Sequence, residues 1–298
     1  VDASSFGEEY MLLPPANYNL DADGLDFKGD DVLHTVGLRF HDLTALDNTK
    51  KYVLGLKLTS DDLAVNEEKS TMIFYLQQKQ GGIGNPYIIT TAKDLAKLDE
   101  YLKDGQTTYV RLGSDIDLQG IDWTPVEATA ARPVDFDGCG HVINNLKITS
   151  SSSTYQGFFG MLIGRCANVT FTNAQITANK KLTGIVAGQA GNVSGAGIVE
   201  NVRVSGTINL TSGNAAWEDG QAGGLCGRLH GAGSKIYQCG SETTITALWS
   251  AGGICGEVRE GASVEQCYHI GDITTKSCIG GIASRLLGST ISHCYSHG

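Results

Sequence analysis

The sequence predicts an all-β chain in two parts. A small N-terminal β-sandwich spans residues 1–80, and a right-handed parallel β-helix, opened by a short capping helix, spans 86–298. Three observations lead to the all-β class, the division into two parts and the solenoid. The chain holds 39 glycines, 5 prolines and only 18% charged residues, a globular, β-leaning composition rather than a disordered, collagenous or coiled-coil one. Its halves are built differently: residues 1–85 carry 14 Asp and Glu against 7 Lys and Arg, while all eight cysteines lie at or after Cys139 and the last proline is Pro133. The stretch after residue 135 repeats itself without any helical pattern, the mark of stacked solenoid coils.

In the first part, EEYMLLPPANYNL from Glu8, VLHTVGLRF from Val32, KKYVLGLKL from Lys50 and STMIFYLQQK from Ser70 read as strands separated by polar turns. Val36, Leu38 and Phe40 alternate with Gly37, Arg39 and His41. A polar, glycine-rich linker from Gln77 to Pro86 closes this part. Thr91-Ala-Lys-Asp94 then reads as a variant capping box that starts a helix, with Leu95, Leu98 and Leu102 on one face. Such a helix is expected to cover the open edge of the first coil. Val110, Leu112, Ile116 and Leu118 supply that coil.

Six pieces align beyond it: INNLKI from Ile143, CANVTF from Cys166, VENVRV from Val199, IYQCGS from Ile236, VEQCYH from Val264 and ISHCYS from Ile291. Their first and fourth columns are apolar or Cys. Their third reads Asn145, Asn168, Asn201, Gln238, Gln266, His293. A second block runs GFFG, GIVA, GLCG, GICG and GIAS from Gly157, Gly184, Gly224, Gly253 and Gly281, with Phe159, Val186, Cys226, Cys255 and Ala283 in its third column. Stacked coils set like residues above like at about 4.8 Å. The apolar columns are therefore expected to form internal ladders, and the amide column a hydrogen-bonded one in the interior. Cys166, Cys226, Cys239, Cys255, Cys267 and Cys294 fill columns otherwise held by aliphatic or aromatic residues, so they read as buried free thiols. Disulfides between neighbouring coils are the alternative. Without a C-x₂-C pair a zinc site has no support.

The cores Gly223-Gly-Leu-Cys-Gly227 and Gly252-Gly-Ile-Cys-Gly256, with Val264-x-x-Cys-Tyr268 and Ile291-x-x-Cys-Tyr295, resemble the GLUG-motif family. YIITTAKDLAKLDEYL from Tyr87, VRLGSDIDLQGIDWTPV from Val110 and FDGCGHVINNLKI from Phe136 resemble the way that family's repeats begin, although Cys139 stands where Asn or another polar residue usually follows FDG. The resemblance implies a right-handed β-helix on secreted or surface-attached bacterial proteins. It implies no single activity, since adhesins, proteases and carbohydrate-active proteins all carry it. Tyr10-Met-Leu-Leu-Pro14, Asn17-Tyr18 and Lys51–Lys57 resemble a β-sandwich domain of unknown function at the N-terminus of surface lipoproteins from gut Bacteroidetes.

Net charge is −10, which disfavours a phosphate-backbone partner, so no nucleic acid is expected. No apolar run reaches the roughly 18 residues of a membrane span. Val1 begins neither a signal peptide nor an initiating Met, so a leader or lipid anchor upstream is expected to have been removed. The last coil, ISHCYSHG, lacks a cap, so the solenoid is expected to continue or to be covered at that end.

Trp217 and Trp249 precede Gly224 and Gly253 by seven and four residues, in loops that enter the same corner of successive coils, with Glu218 and Asp219 beside the first. Exposed rings beside acids suit a sugar's C–H faces and hydroxyls; rings folded back over the solenoid wall are the structural alternative. Tyr268 and Tyr295 are expected to point outward, as a binding pair or merely as a cross-strand pair that stiffens the sheet. Asp115, Asp117, Asp135, Asp137 and His141 offer paired carboxylates for glycoside hydrolysis, or simply turn residues. Asp21-Ala-Asp-Gly-Leu-Asp26 lacks the spacing and closing Glu of a calcium loop. Sequons stand at Asn168, Asn192 and Asn209, and glycosylation at Asn168 is expected to disrupt its column. Neither a metal nor a cofactor is expected. The expected function is that of a non-catalytic extracellular protein, adhesin-like or glycan-binding, on a polysaccharide or a host or bacterial surface, with an outer-membrane lipoprotein as one expected form. A β-helix carbohydrate-active enzyme and a structural spacer are the alternatives.

Overall fold

The computed structural model describes residues 10–21, 36–43, 46, 50–59, 65–76, 80–149, 154–178, 182–210 and 220–298. The chain divides into two compact units, Val1–Asn85 and Pro86–Gly298.

In the first unit Lys51–Lys57 is the central strand of three. It pairs in parallel with Tyr10–Leu12 and antiparallel with Thr71–Leu76. Tyr18–Asp21 and Gly37–Phe40 form a separate antiparallel pair. Leu13, Tyr52 and Leu54 make a small core, with Leu38 and Phe74 against it. The alternation around Leu38 marks one half-buried side chain rather than a full buried face, because Val36 and Phe40 remain exposed.

The second unit is a parallel β-solenoid of about six turns. A full coil crosses four walls in order: wall 1 (Val134–Asp137 in an early coil), wall 2 (Val142–Asn144 and Lys147–Ile148), wall 3 (Tyr155–Gln156) and wall 4 (Phe159–Leu162). Every ladder among these walls is parallel, so each strand serves two neighbours and the repeated residues stack. Val110, Phe136, Cys166, Val199, Ile236, Val264 and Ile291 form one interior column of wall 1. Ile148, Ile176, Ile208, Ile245 and Ile273 form another in wall 2. Val126, Phe159, Ala187, Cys226, Cys255 and Ala283 line wall 4. Phe158 anchors the early coils, stacked on Trp123 at 4.8 Å, while the Trp123 indole N–H donates to the Phe158 carbonyl at 2.9 Å.

The register corrects the sequence alignment in two places. Cys166 pairs with Phe136, not Ile143, so the first repeat begins at Phe136 and Ile143 belongs to wall 2, opposite Phe171. Ala187, not Val186, stacks between Phe159 and Cys226. Both slips arise because coils differ in length, and only the hydrogen-bonded ladder fixes which residue lies above which.

The paired glycines have a steric cause. A Cβ on Gly223 or Gly252 would lie 2.0 Å from the carbonyl oxygen of Cys226 or Cys255, so the turn from wall 3 into wall 4 admits only hydrogen there. At the start of the solenoid, the single expected helix is two one-turn helices, Ala92–Leu95 and Leu98–Tyr101. Thr91 Oγ accepts from the Asp94 N–H at 3.1 Å and donates to its carboxylate at 2.7 Å, realising the cap read from the sequence. Leu95, Leu98 and Leu102 are buried in the solenoid core.

Candidate binding face

Walls 1 and 2 meet at a corner where one residue per coil takes a left-handed conformation: Cys139, Asn168, Asn201, Gln238, Gln266 and His293 all have φ between 50° and 54°. This explains the amide column better than an interior ladder does, because Asn tolerates positive φ and its side chain bonds locally. The expectation of a buried amide ladder is therefore corrected: Asn201, Gln238, Gln266 and His293 are exposed and Asn168 is half-buried. The ladder bonds exist, but along the outer edge. Asn168 Nδ2 donates to Asp137 Oδ1 at 3.0 Å, Asn201 to Asn168 at 3.0 Å, and Gln238 to Gln266 at 3.2 Å. Asn145 belongs to a second corner, bonded to Asp117 at 2.8 Å and to Asn173. The Asn168 amide is thus already engaged, while Asn192 lies in a surface turn beside exposed Val193, and Asn209 is exposed.

The cysteine after each corner points inward. Cys239, Cys267 and Cys294 each place Sγ 3.1 Å from the carbonyl two residues back. Cys239 and Cys294 also accept from the N–H of Val202 and Cys267 at 3.4 Å. These thiols are therefore hydrogen-bonded as well as apolar. All eight cysteines are free; Cys166, Cys226, Cys239, Cys255 and Cys267 are buried. Burial pushes the Cys166 and Cys226 thiols well up and that of Cys255 to about 12.

Beyond the corner, Tyr268 and Tyr295 project from wall 2 and stack, ring centroids 5.6 Å apart and 14° from parallel. They pair in register with Gly240 on the preceding coil. A Cβ on Gly240 would sit 2.4 Å from Tyr268 Cζ, so that ring lies flat on the glycine backbone. Tyr268 thus has one face on Gly240 and the other on Tyr295, leaving its edge and hydroxyl. The hydroxyl donates to Glu242 Oε1 at 3.3 Å. Tyr295 is 60% exposed. Glu242, which the sequence reading passed over, joins this site because it sits two residues from Gly240 on the same outward face.

Trp249 is half-buried, its Cδ1 3.3 Å from where a Gly220 Cβ would stand, so the ring lies along the chain of the preceding coil. Trp217, Glu218 and Asp219 lie outside the described residues, as do Asp23 and Asp26.

The acidic residues at the start of the solenoid are distributed among structural bonds. Asp115 Oδ1 accepts from Val142 N–H at 2.9 Å and pairs with His141 Nδ1 at 3.0 Å; these two bonds, the backbone one foremost, lower its pKa. Asp117 holds Asn145, and Asp137 holds Asn168 and the Cys139 N–H. Arg165 gathers Asp135, Asp137 and Glu200 at 3.5, 3.9 and 3.2 Å. Half-burial raises the pKa of Asp135, against the pull of Arg165. Among the described residues no group of three or more His, Cys, Asp or Glu side chains is placed to hold a metal.

Two polar clusters escaped the sequence reading. Glu257, 1% exposed, lies between Arg228 at 2.6 Å and Arg285 at 3.3 Å, all three in one register column of wall 4. Inside wall 2, where earlier coils place Phe171 and Val204, later ones place Ser241 and His269. The Gly271 carbonyl can only accept, so His269 Nε2 carries the proton donated to it at 3.1 Å, and Nδ1 accepts from Ser241 Oγ at 3.1 Å. Thr243 bonds Ser241 at 2.8 Å. Each residue reads as ordinary strand composition in sequence; only the column reveals the cluster.

No protein-family model matches the chain. A crystal structure from Bacteroides ovatus, provisionally assigned as an immunoglobulin A1 protease, superposes with TM-score 0.60 and 28% identity over 72% of this chain and 76% of that one. Halomucin of Haloquadratum walsbyi is 30% identical over 175 residues, 52% of this chain, and the chain spans 2% of that protein's length. An IgA1 Protease structure aligns at TM-score 0.34 with 13% identity over 75% of this chain and 21% of that one. Among the described residues no helix is long and apolar enough to cross a membrane.

Proposed function

We propose that this chain is a non-catalytic extracellular module that binds glycan on a polymer or a cell surface. The observation that carries the reading is the Tyr268–Tyr295 stack beside Glu242, whose outward ring edges, hydroxyls and carboxylate, with the exposed ring of Tyr295, suit a sugar's C–H surface and hydroxyls. Extracellular placement is supported by the Halomucin stretch and by the 28% identical Bacteroides ovatus structure. In the same reading the helices at 92–101 cap a right-handed solenoid of the GLUG kind, and the first unit is a β-sandwich of the surface-lipoprotein type.

The hydrolase alternative needs two carboxylates roughly 5–10 Å apart across a groove, and Asp115, Asp117, Asp135 and Asp137 are instead each engaged in holding corners or ion pairs. The spacer reading gains from one observation, that the Halomucin likeness covers so small a share of a very long chain. Retardation on native gels containing plant, host and bacterial polysaccharides, run with Tyr295→Ala and Trp249→Ala beside the wild type, separates the readings. Retardation weakened by Tyr295→Ala supports a glycan site at the tyrosine pair. Retardation weakened only by Trp249→Ala moves the site. No retardation by any polymer defeats the glycan reading and leaves the spacer.

A further inference from the structure

The long strands of wall 2 present a second feature on the same outward face. Register places Lys147, Gln175, Thr207 and Thr244 in one column and Thr177, Asn209, Thr246 and Thr274 in the next. All eight are exposed, and the isoleucines between them are turned inward. Two columns offset by two residues along a strand and repeated from coil to coil make a grid of about 6.6 by 4.8 Å. Pairing is continuous from Ala174 to Ala178 against Gly206 to Leu210, and from Thr207 to Asn209 against Thr244 to Thr246, so the grid is unbroken.

We propose that this strip is the docking surface for an uncharged polysaccharide lying across the coils; the inference rests on the glycan-binding reading above and assigns that function its main contact surface. The chemistry selects the occupant. Hydroxyls and amides both donate and accept, as sugar hydroxyls do. Lys147 is the only charged side chain in the two columns, so the strip itself offers neither a polyanion nor a polycation an array of complementary charge. A second copy of the chain is disfavoured because the eight residues include no large apolar or aromatic anchor of the kind a stable interface core uses. The strip also runs along its strands into Glu242, Tyr268 and Tyr295, which would supply the aromatic contact at one end.

Each hydroxyl contact exchanges water for sugar with little net gain, so single sugars bind weakly and affinity accumulates over successive coils. The test is affinity electrophoresis and calorimetry against soluble β-glucan, xylan, galactomannan and dextran, with polygalacturonate as the charged control, and with short and long oligomers of any polymer bound. The variant is Thr207→Val/Thr244→Val/Thr246→Val, which keeps shape and strand preference and replaces each hydroxyl by a methyl; a matching triple Ser variant restores the hydroxyls. We expect wild-type binding to a neutral polymer, affinity rising about 100-fold from short to long oligomers, a loss of tenfold or more in the Val variant at unchanged Tm, and recovery in the Ser variant. Binding that survives the Val variant but is lost in Tyr295→Ala overturns the strip and leaves the glycan module standing. Binding to no polysaccharide overturns both. Self-association abolished by the Val substitutions would instead make the strip a contact between copies, and the proposal would be wrong.

Discussion

Glu257 offers the sharpest test of how the later coils hold together. Its carboxylate is almost wholly removed from water and bridges Arg228 Nε at 2.6 Å and Arg285 Nη1 at 3.3 Å on the coils either side. Glu257→Gln preserves volume but leaves two guanidinium groups, 18% and 25% exposed, facing a neutral amide in the same column. Removing one partner of a buried pair costs about 3–5 kcal/mol, and the partial exposure of both arginines places this one at the low end, about 3 kcal/mol. For a unit of this size that lowers Tm by roughly 6–12 °C. The companion variant Arg228→Met/Glu257→Leu/Arg285→Met removes all the charge together. Because the desolvation cost of three ionic groups disappears with their attraction, it is expected to be near neutral or stabilising. Thermal and urea unfolding of both variants by circular dichroism measures the pair. A Gln variant within about 0.5 kcal/mol of wild type would show that water reaches the column and that the ion pairs contribute little; a triple variant as unstable as the Gln variant would show that packing, not charge compensation, governs the site.

Two further outcomes follow from the interior. Thiol labelling of the native protein should modify exposed Cys139 and Cys278 first, with Cys166, Cys226, Cys239, Cys255 and Cys267 reacting only after denaturation; rapid native labelling of Cys255, whose thiol burial pushes up to about 12, would contradict its place in wall 4. His269 should make the fold acid-sensitive. Burial lowers its pKa below the ordinary 6.5, so the folded state keeps it neutral while the unfolded chain binds a proton; its contribution is fully present above pH 6.5 and is lost as pH falls below that value. Tm measured from pH 7.5 to 5 should drop less steeply in His269→Gln than in wild type, and equal slopes would refute the assignment.

What the sequence determined by itself is the solenoid. A parallel stack converts a repeat along the chain into a column in space, so Cys166, Val199, Ile236, Val264 and Ile291 are legible as one ladder from their spacing alone. The helix cap at Thr91 was legible too, because it depends on residues three apart. The tertiary structure alone decided which residues face each other across coils. Glu257 finds Arg228 and Arg285 only once the ladder sets their register, and the coil lengths vary, with second-block glycines 27 to 40 residues apart. The amide column looked like an interior ladder because a repeated Asn signals both stacking and a left-handed corner, and only its backbone angles separate the two. Tyr268 stands half-buried on wall 2, one face of its ring covered by a glycine on the coil before it, a contact 28 residues distant in sequence that no local pattern encodes.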